Sequence, residues 1–162
     1  MIVKVIGAFI AIAAFAILLE SPKRYLWCAG VVGAVGWLVF LVCEAAGANE
    51  VIATLFSAMA IAIVSHVFAR VLKAPVTVFL IAGILPTVPG AGMYRIAYNI
   101  IAGNNELAGH YLITTLELAG AIAIGIFIVD AMFRVSHRGW KQNSLRYDGK
   151  MNEKWLENSK KH

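Results

Sequence analysis

Ile84-Leu85-Pro86-Thr87-Val88-Pro89-Gly90-Ala91-Gly92-Met93-Tyr94-Arg95 lies in the middle of an apolar stretch that runs from Pro75 to Gly103. The length and hydropathy of the stretch suit a membrane span, but its centre cannot be a regular helix. Pro86 and Pro89 each remove a backbone donor, and their rings clash with the preceding turn. Gly90 and Gly92 admit backbone angles closed to other residues. In hydrocarbon, a broken backbone survives only where protein or a water-filled cavity satisfies the freed groups. Discontinuous helices of this kind often hold the substrate site of a secondary transporter. The sequence therefore predicts a broken span, and Arg95, three residues past Gly92, adds a buried charge to it.

The surrounding composition supports a membrane setting. The chain has 162 residues, of which 60% are hydrophobic and 14% charged. A soluble domain averages about 45–50% apolar residues. Several apolar runs approach or exceed the roughly 18 residues that indicate a spanning helix. The first runs from Ile2 to Leu19, with Lys4 as its one interruption. A cleaved signal peptide is the alternative for this run, but one early lysine makes a poor basic region and no small-x-small site precedes Ser21-Pro22. The second span is Trp27–Ala46, the third Val51–Phe68, the fourth the broken segment Val76–Ala102, and the fifth Tyr111–Phe133. Gly47–Glu50 reads as a tight turn and Gly103–His110 as a polar loop. The expected fold is an all-α integral membrane protein with five transmembrane helices, the fourth discontinuous. It divides into a membrane domain, residues 1–133, and a basic tail, residues 134–162.

Lys and Arg counts near the span ends set the orientation. Lys23 and Arg24 follow the first span, Arg70 and Lys73 follow the third, and eight further cations lie between Arg134 and Lys161. Gly47–Glu50 and Gly103–His110 contain neither Lys nor Arg. This strict alternation predicts five crossings, with the N-terminus outside and the C-terminus cytoplasmic. The tail's cations alternate with Asp148, Glu153 and Glu157 and carry no recognition motif, so anionic lipid fits them better than nucleic acid. The small-xxx-small pairs Gly7/Ala11, Gly30/Ala34, Ala58/Ala62 and Ala121/Gly125 suit close helix approach in lipid. Cys28 and Cys43 would lie about 22 Å apart along one helix, too far to bridge within a subunit. No nucleophile–base pair or metal-ligand cluster stands out, so no catalytic residue, metal or cofactor is expected.

Ionisable residues within spans need a partner or a wet cavity. Glu44 lies near the outer end of its span, within reach of the headgroups. Asp130 suits an i,i+4 pair with Arg134. His66 could relay protons or be a neutral, hydrogen-bonded core histidine. Arg95 and Glu117 fall at equal depth, roughly 9–11 Å inside the outer face. A structural ion pair and a functional pair, with Arg95 anchoring a small carboxylate-bearing substrate and Glu117 coupling protons, both fit that placement.

The segment Pro75–Arg95, with its Pro86-x-x-Pro89-Gly90-x-Gly92-x-Tyr94-Arg95 core, resembles the signature segment of the threonine/serine exporter family. The chain is similar in size and span count to the small subunit of the split, two-gene members. The resemblance implies a ten-span exporter built from two five-span halves in the cell membrane. It would move threonine and serine, or a dicarboxylate such as succinate in some split members. From the residues themselves, Pro86, Pro89, Gly90, Gly92, Tyr94 and Arg95 of the break are the expected substrate region, with Glu117 and His66 as proton-coupling candidates. An odd span count puts the termini on opposite sides. A complementary five-span subunit of reverse orientation would complete an inverted repeat. A homo-oligomer or a non-transporting scaffold subunit are the competing readings.

Overall fold

The computed structural model describes the backbone of residues 2–20 and 22–159, and side chains over residues 3–20 and 22–135. Six α-helices follow one another: α1 (Ile2–Leu18), α2 (Leu26–Ala45), α3 (Glu50–Val71), α4 (Val76–Ile84), α5 (Gly90–Ile101) and α6 (Asn105–Ser159). Single 3-10 turns at Lys23–Tyr25 and Leu85–Thr87 join them, and no strand occurs among the described residues. The chain divides into one unit through Val129 and a second from Asp130.

Three helices are long and apolar enough to cross a membrane: Lys23–Ala45, Glu50–Val71 and the Asn105–Val135 part of α6. A bent pair, Val76–Thr87 with Gly90–Ile101, makes a fourth candidate when taken as one span. The first predicted span is shorter than expected. α1 has 17 residues, about 25 Å at 1.5 Å per residue, against a hydrocarbon core of about 30 Å. It ends because Glu20 takes a left-handed conformation, φ +54°.

The connections share one device. Glu20, Gly47, Lys73 and Gly103 all have positive φ. After three of them the next N–H reaches back to a carbonyl in the helix just finished: Ala48 to Cys43, Ala74 to Ala69, and Asn104 to Asn99. This is the Schellman arrangement, in which a left-handed residue satisfies otherwise orphaned carbonyls. It keeps each turn to a few residues and returns the chain antiparallel. The polar loop expected over Gly103–His110 is correspondingly brief, because α6 already begins at Asn105 with Glu106 in its first turn.

α2 is the central helix, packed against α1, α3 and α4. Its glycines explain the closeness. A Cβ on Gly33 would meet Ile12 of α1 at 1.6 Å, and one on Gly36 would meet Ile61 of α3 at 2.4 Å. The Gly36 carbonyl also accepts a bond of 2.8 Å from the buried Ser57 hydroxyl. Gly30, the third of the row, faces Phe9. The stripe in use therefore has i,i+3 spacing, Gly30-Gly33-Gly36, rather than the Gly30/Ala34 spacing expected. Ala58, Ala62, Ala121 and Gly125 are buried as their pairing predicts, whereas Gly7 has nothing near it. Beside α2, Tyr25, Val32, Ile61, Ala69 and Phe79 form the main apolar cluster, with Tyr25 edge-on to Phe79 at 5.5 Å.

In the second unit, the expected Asp130–Arg134 pair is present, Nε to Oδ2 at 2.7 Å. Its partners are largely exposed, so it contributes little to stability. The remaining tail cations lie outside the residues whose side chains are described.

Candidate functional site

The break in the fourth segment is built by its prolines. α4 stops at Ile84, since Pro86 has no N–H for the Ala82 carbonyl and Pro89 none for Leu85. One 3-10 turn over Leu85–Thr87 follows. Val88 is extended, φ −63° and ψ 129°, as suits a residue before proline. Pro89, at φ −76° and ψ 59°, is the centre of an inverse γ-turn closed by a 2.7 Å bond from Gly90 N–H to the Val88 carbonyl. The Ile84 carbonyl at the break also accepts from the Thr87 hydroxyl at 2.7 Å. α5 then leaves at 51° to α4.

A cavity of about 140 Å³ opens against this break. At about 30 Å³ per water molecule, it has room for a small polar solute of a few heavy atoms. Pro86, Thr87, Val88 and Pro89 form one wall, Trp37 and Phe40 of α2 a second, Glu50 and Thr54 of α3 a third, and Leu118 of α6 closes it. Trp37 and Phe40 stack at 5.3 Å. Thr54 is 4% exposed, whereas Glu50, one turn nearer the start of α3, is exposed. The Trp37 indole N–H is buried and has no hydrogen-bond partner.

Of the residues singled out in the sequence, Pro86 and Pro89 line this cavity. Gly90 and Gly92 sit in the first turn of α5 with ordinary helical φ, so the expected need for unusual backbone angles does not apply. Gly92 answers a different need. A Cβ there would lie 2.3 Å from the Thr115 hydroxyl of α6, so it permits close helix contact. Tyr94 and Arg95 are exposed on α5. Tyr94 stacks on Tyr98 at 6.2 Å, and the Arg95 guanidinium lies 5.4 Å from the Tyr111 ring centre, within cation–π range. Glu117 is exposed on α6, and among the described residues Arg95 and Glu117 form no ion pair. His66 is half-buried on α3. Trp37, Glu50 and Thr54 were missed by the sequence reading. For Glu50 and Thr54 the signal is a polar row on an apolar helix, Glu50, Thr54, Ser57 and Ser65, which recur on one face of α3 at helical spacing; Trp37 on α2 carries no such signal.

Long apolar helices in several passes, one of them broken beside a small cavity of mixed polar and apolar lining, make this a multi-pass membrane protein. Residues 4–132 match the family described as threonine/serine exporter, ThrE, and the chain belongs to that family of amino-acid exporters. No curated protein and no solved structure matches it. The family match covers the helical bundle and stops where the polar segment begins.

Proposed function

We propose that this chain is the small, five-span half of a secondary exporter of threonine and serine in the cell membrane. A second five-span half of opposite orientation would complete it. The observation that carries the reading is the 51° break with its small, partly polar cavity, set within a family that exports amino acids. An interrupted helix at a cavity is where transporters of this build hold their cargo, because freed backbone groups can be satisfied by substrate and water. The Pro86–Pro89 wall is the substrate-side element. α1, though short, crosses as the first of five spans, and bilayer thinning or snorkelling accommodates its length at modest cost.

Arg95, Tyr94 and Glu117 have a role in this reading that a single half does not fulfil. All three are exposed, on helices adjoining the break. A charge facing lipid is expensive, so these side chains are presented to the second half. There Arg95 meets the substrate carboxylate, and Glu117, with His66 as the alternative, takes up the coupling proton. The test is Arg95→Lys, which keeps the charge but loses the bidentate fork. It is expected to assemble normally and to raise the half-saturating threonine concentration about tenfold or more, the loss typical of one charged hydrogen bond. Unchanged kinetics in a well-assembled Arg95→Lys variant would eliminate the anchor.

Orientation gives a separate expectation. Cysteines placed in Gly47–Glu50 or at Asn104 should react with a membrane-impermeant thiol reagent added to intact cells, and a cysteine at Ser159 should not. Labelling at Ser159 from outside would refute a cytoplasmic C-terminus and the five-span count with it.

A further inference from the structure

The lining of the cavity is chemically one-sided. Glu50 is its one charged side chain among the described residues, and no Lys, Arg or His belongs to its wall. Glu50 makes no hydrogen bond or ion pair among the described residues, and Asn49 before it does not cap α3 through its side chain. An acid in a first helical turn is favoured by the helix dipole alone, so its position would be unremarkable were it not also on the cavity. Trp37 adds an aromatic ring to the same wall. Thr54 and Thr87 add hydroxyl groups to the wall, the latter already committed to the Ile84 carbonyl.

We infer that Glu50 selects a zwitterionic amino acid, its carboxylate receiving the substrate's ammonium group. The inference rests on the reading that this cavity is the substrate site, and it decides between substrate classes that share a carboxylate. A dicarboxylate brings a second negative charge towards Glu50 and finds no cation in this wall. An amino acid brings a cation to the acid. Small size follows from the volume, and the hydroxyl of threonine or serine finds Thr54 within the same wall.

The experiment measures transport of labelled L-threonine by the assembled exporter, with unlabelled L-serine, N-acetyl-L-threonine or succinate as competitor. L-serine is expected to compete well. N-acetyl-L-threonine, whose nitrogen carries no charge, and succinate should be at least ten times weaker. Glu50→Gln is expected to raise the half-saturating L-threonine concentration on the order of ten- to a hundredfold, the loss of a charge-assisted hydrogen bond. It should also narrow the preference for L-threonine over N-acetyl-L-threonine, while Glu50→Asp restores part of both. Glu106→Gln removes another exposed first-turn acid and should change neither.

A companion measurement separates the two claims. Thr54→Cys, alkylated after assembly, fills the cavity in a folded protein. If alkylation stops transport but Glu50→Gln keeps full discrimination against N-acetyl-L-threonine, the cavity is the site and the selection by Glu50 is wrong. If alkylation leaves transport intact, the cavity is not the site and both readings fall. Succinate competing better than L-serine would also overturn the inference.

Discussion

Expressed without a second half, this chain is expected to move no threonine above the background of empty vesicles, and co-expression with its complementary five-span subunit should bring transport up. The physical reason is the unfinished surface. Tyr94, Tyr98 and Ile101 on α5, and Ile113, Leu116 and Phe127 on α6, are more than half exposed, with Arg95 and Glu117 among them. Lipid can cover the apolar residues, but a charge facing hydrocarbon is costly, so Arg95 and Glu117 would be better covered by a partner. A partner of reverse orientation would also supply the second gate that alternating access needs. The check is reconstitution of this chain alone, of the partner alone and of both, at matched protein density. Full transport by the purified chain as a monomer would refute the half-transporter reading. Transport by a homo-oligomer would instead mean that a second copy supplies the missing surface.

The other large effect concerns the break. Replacing both prolines, Pro86→Ala with Pro89→Ala, restores two backbone donors and removes two ring clashes. A proline within a helix costs about 3 kcal/mol, so the pair of changes strongly favours a continuous α4–α5 helix. Straightening would swing the wall formed by Pro86–Pro89 away from Trp37 and Thr54 and abolish the cavity. Transport is expected to fall by about a hundredfold or more, since a shift of several kcal/mol empties the bent state. Co-purification with the partner and total helix content should persist. A double variant that still exports at the normal rate would show that the bend is incidental.

Much of this architecture is legible in the chain because its signals are local. Proline and glycine act on their own backbone, so the interruption after Ile84 follows from Pro86 and Pro89 without tertiary information. Apolar runs bounded by charged or turn residues locate α2 and α3 to within a few residues. The candidate site is less legible for geometric reasons. Counting residues from a span end gives depth but not azimuth, so Arg95 and Glu117 could share a level without facing each other. In the structure Arg95 turns to Tyr111, and Glu117 lies off the buried face that carries Thr115, Leu118 and Ile122. The cavity walls come from α2, α3, the break and α6, an assembly set by which helices pack together. The Gly30-Gly33-Gly36 row shows why those contacts are hard to foresee. Glycines are frequent in membrane helices, and only the neighbours Phe9, Ile12 and Ile61 reveal which ones are used.

The claim that the cavity beside the break holds the cargo can be tested directly by substrate protection. In an exporter whose native Cys28 and Cys43 are replaced, a single cysteine at Thr54 should react with a small methanethiosulfonate reagent, and saturating L-threonine should slow that reaction severalfold while succinate does not. An identical reaction rate with and without L-threonine, in a preparation that transports L-threonine, would contradict the assignment.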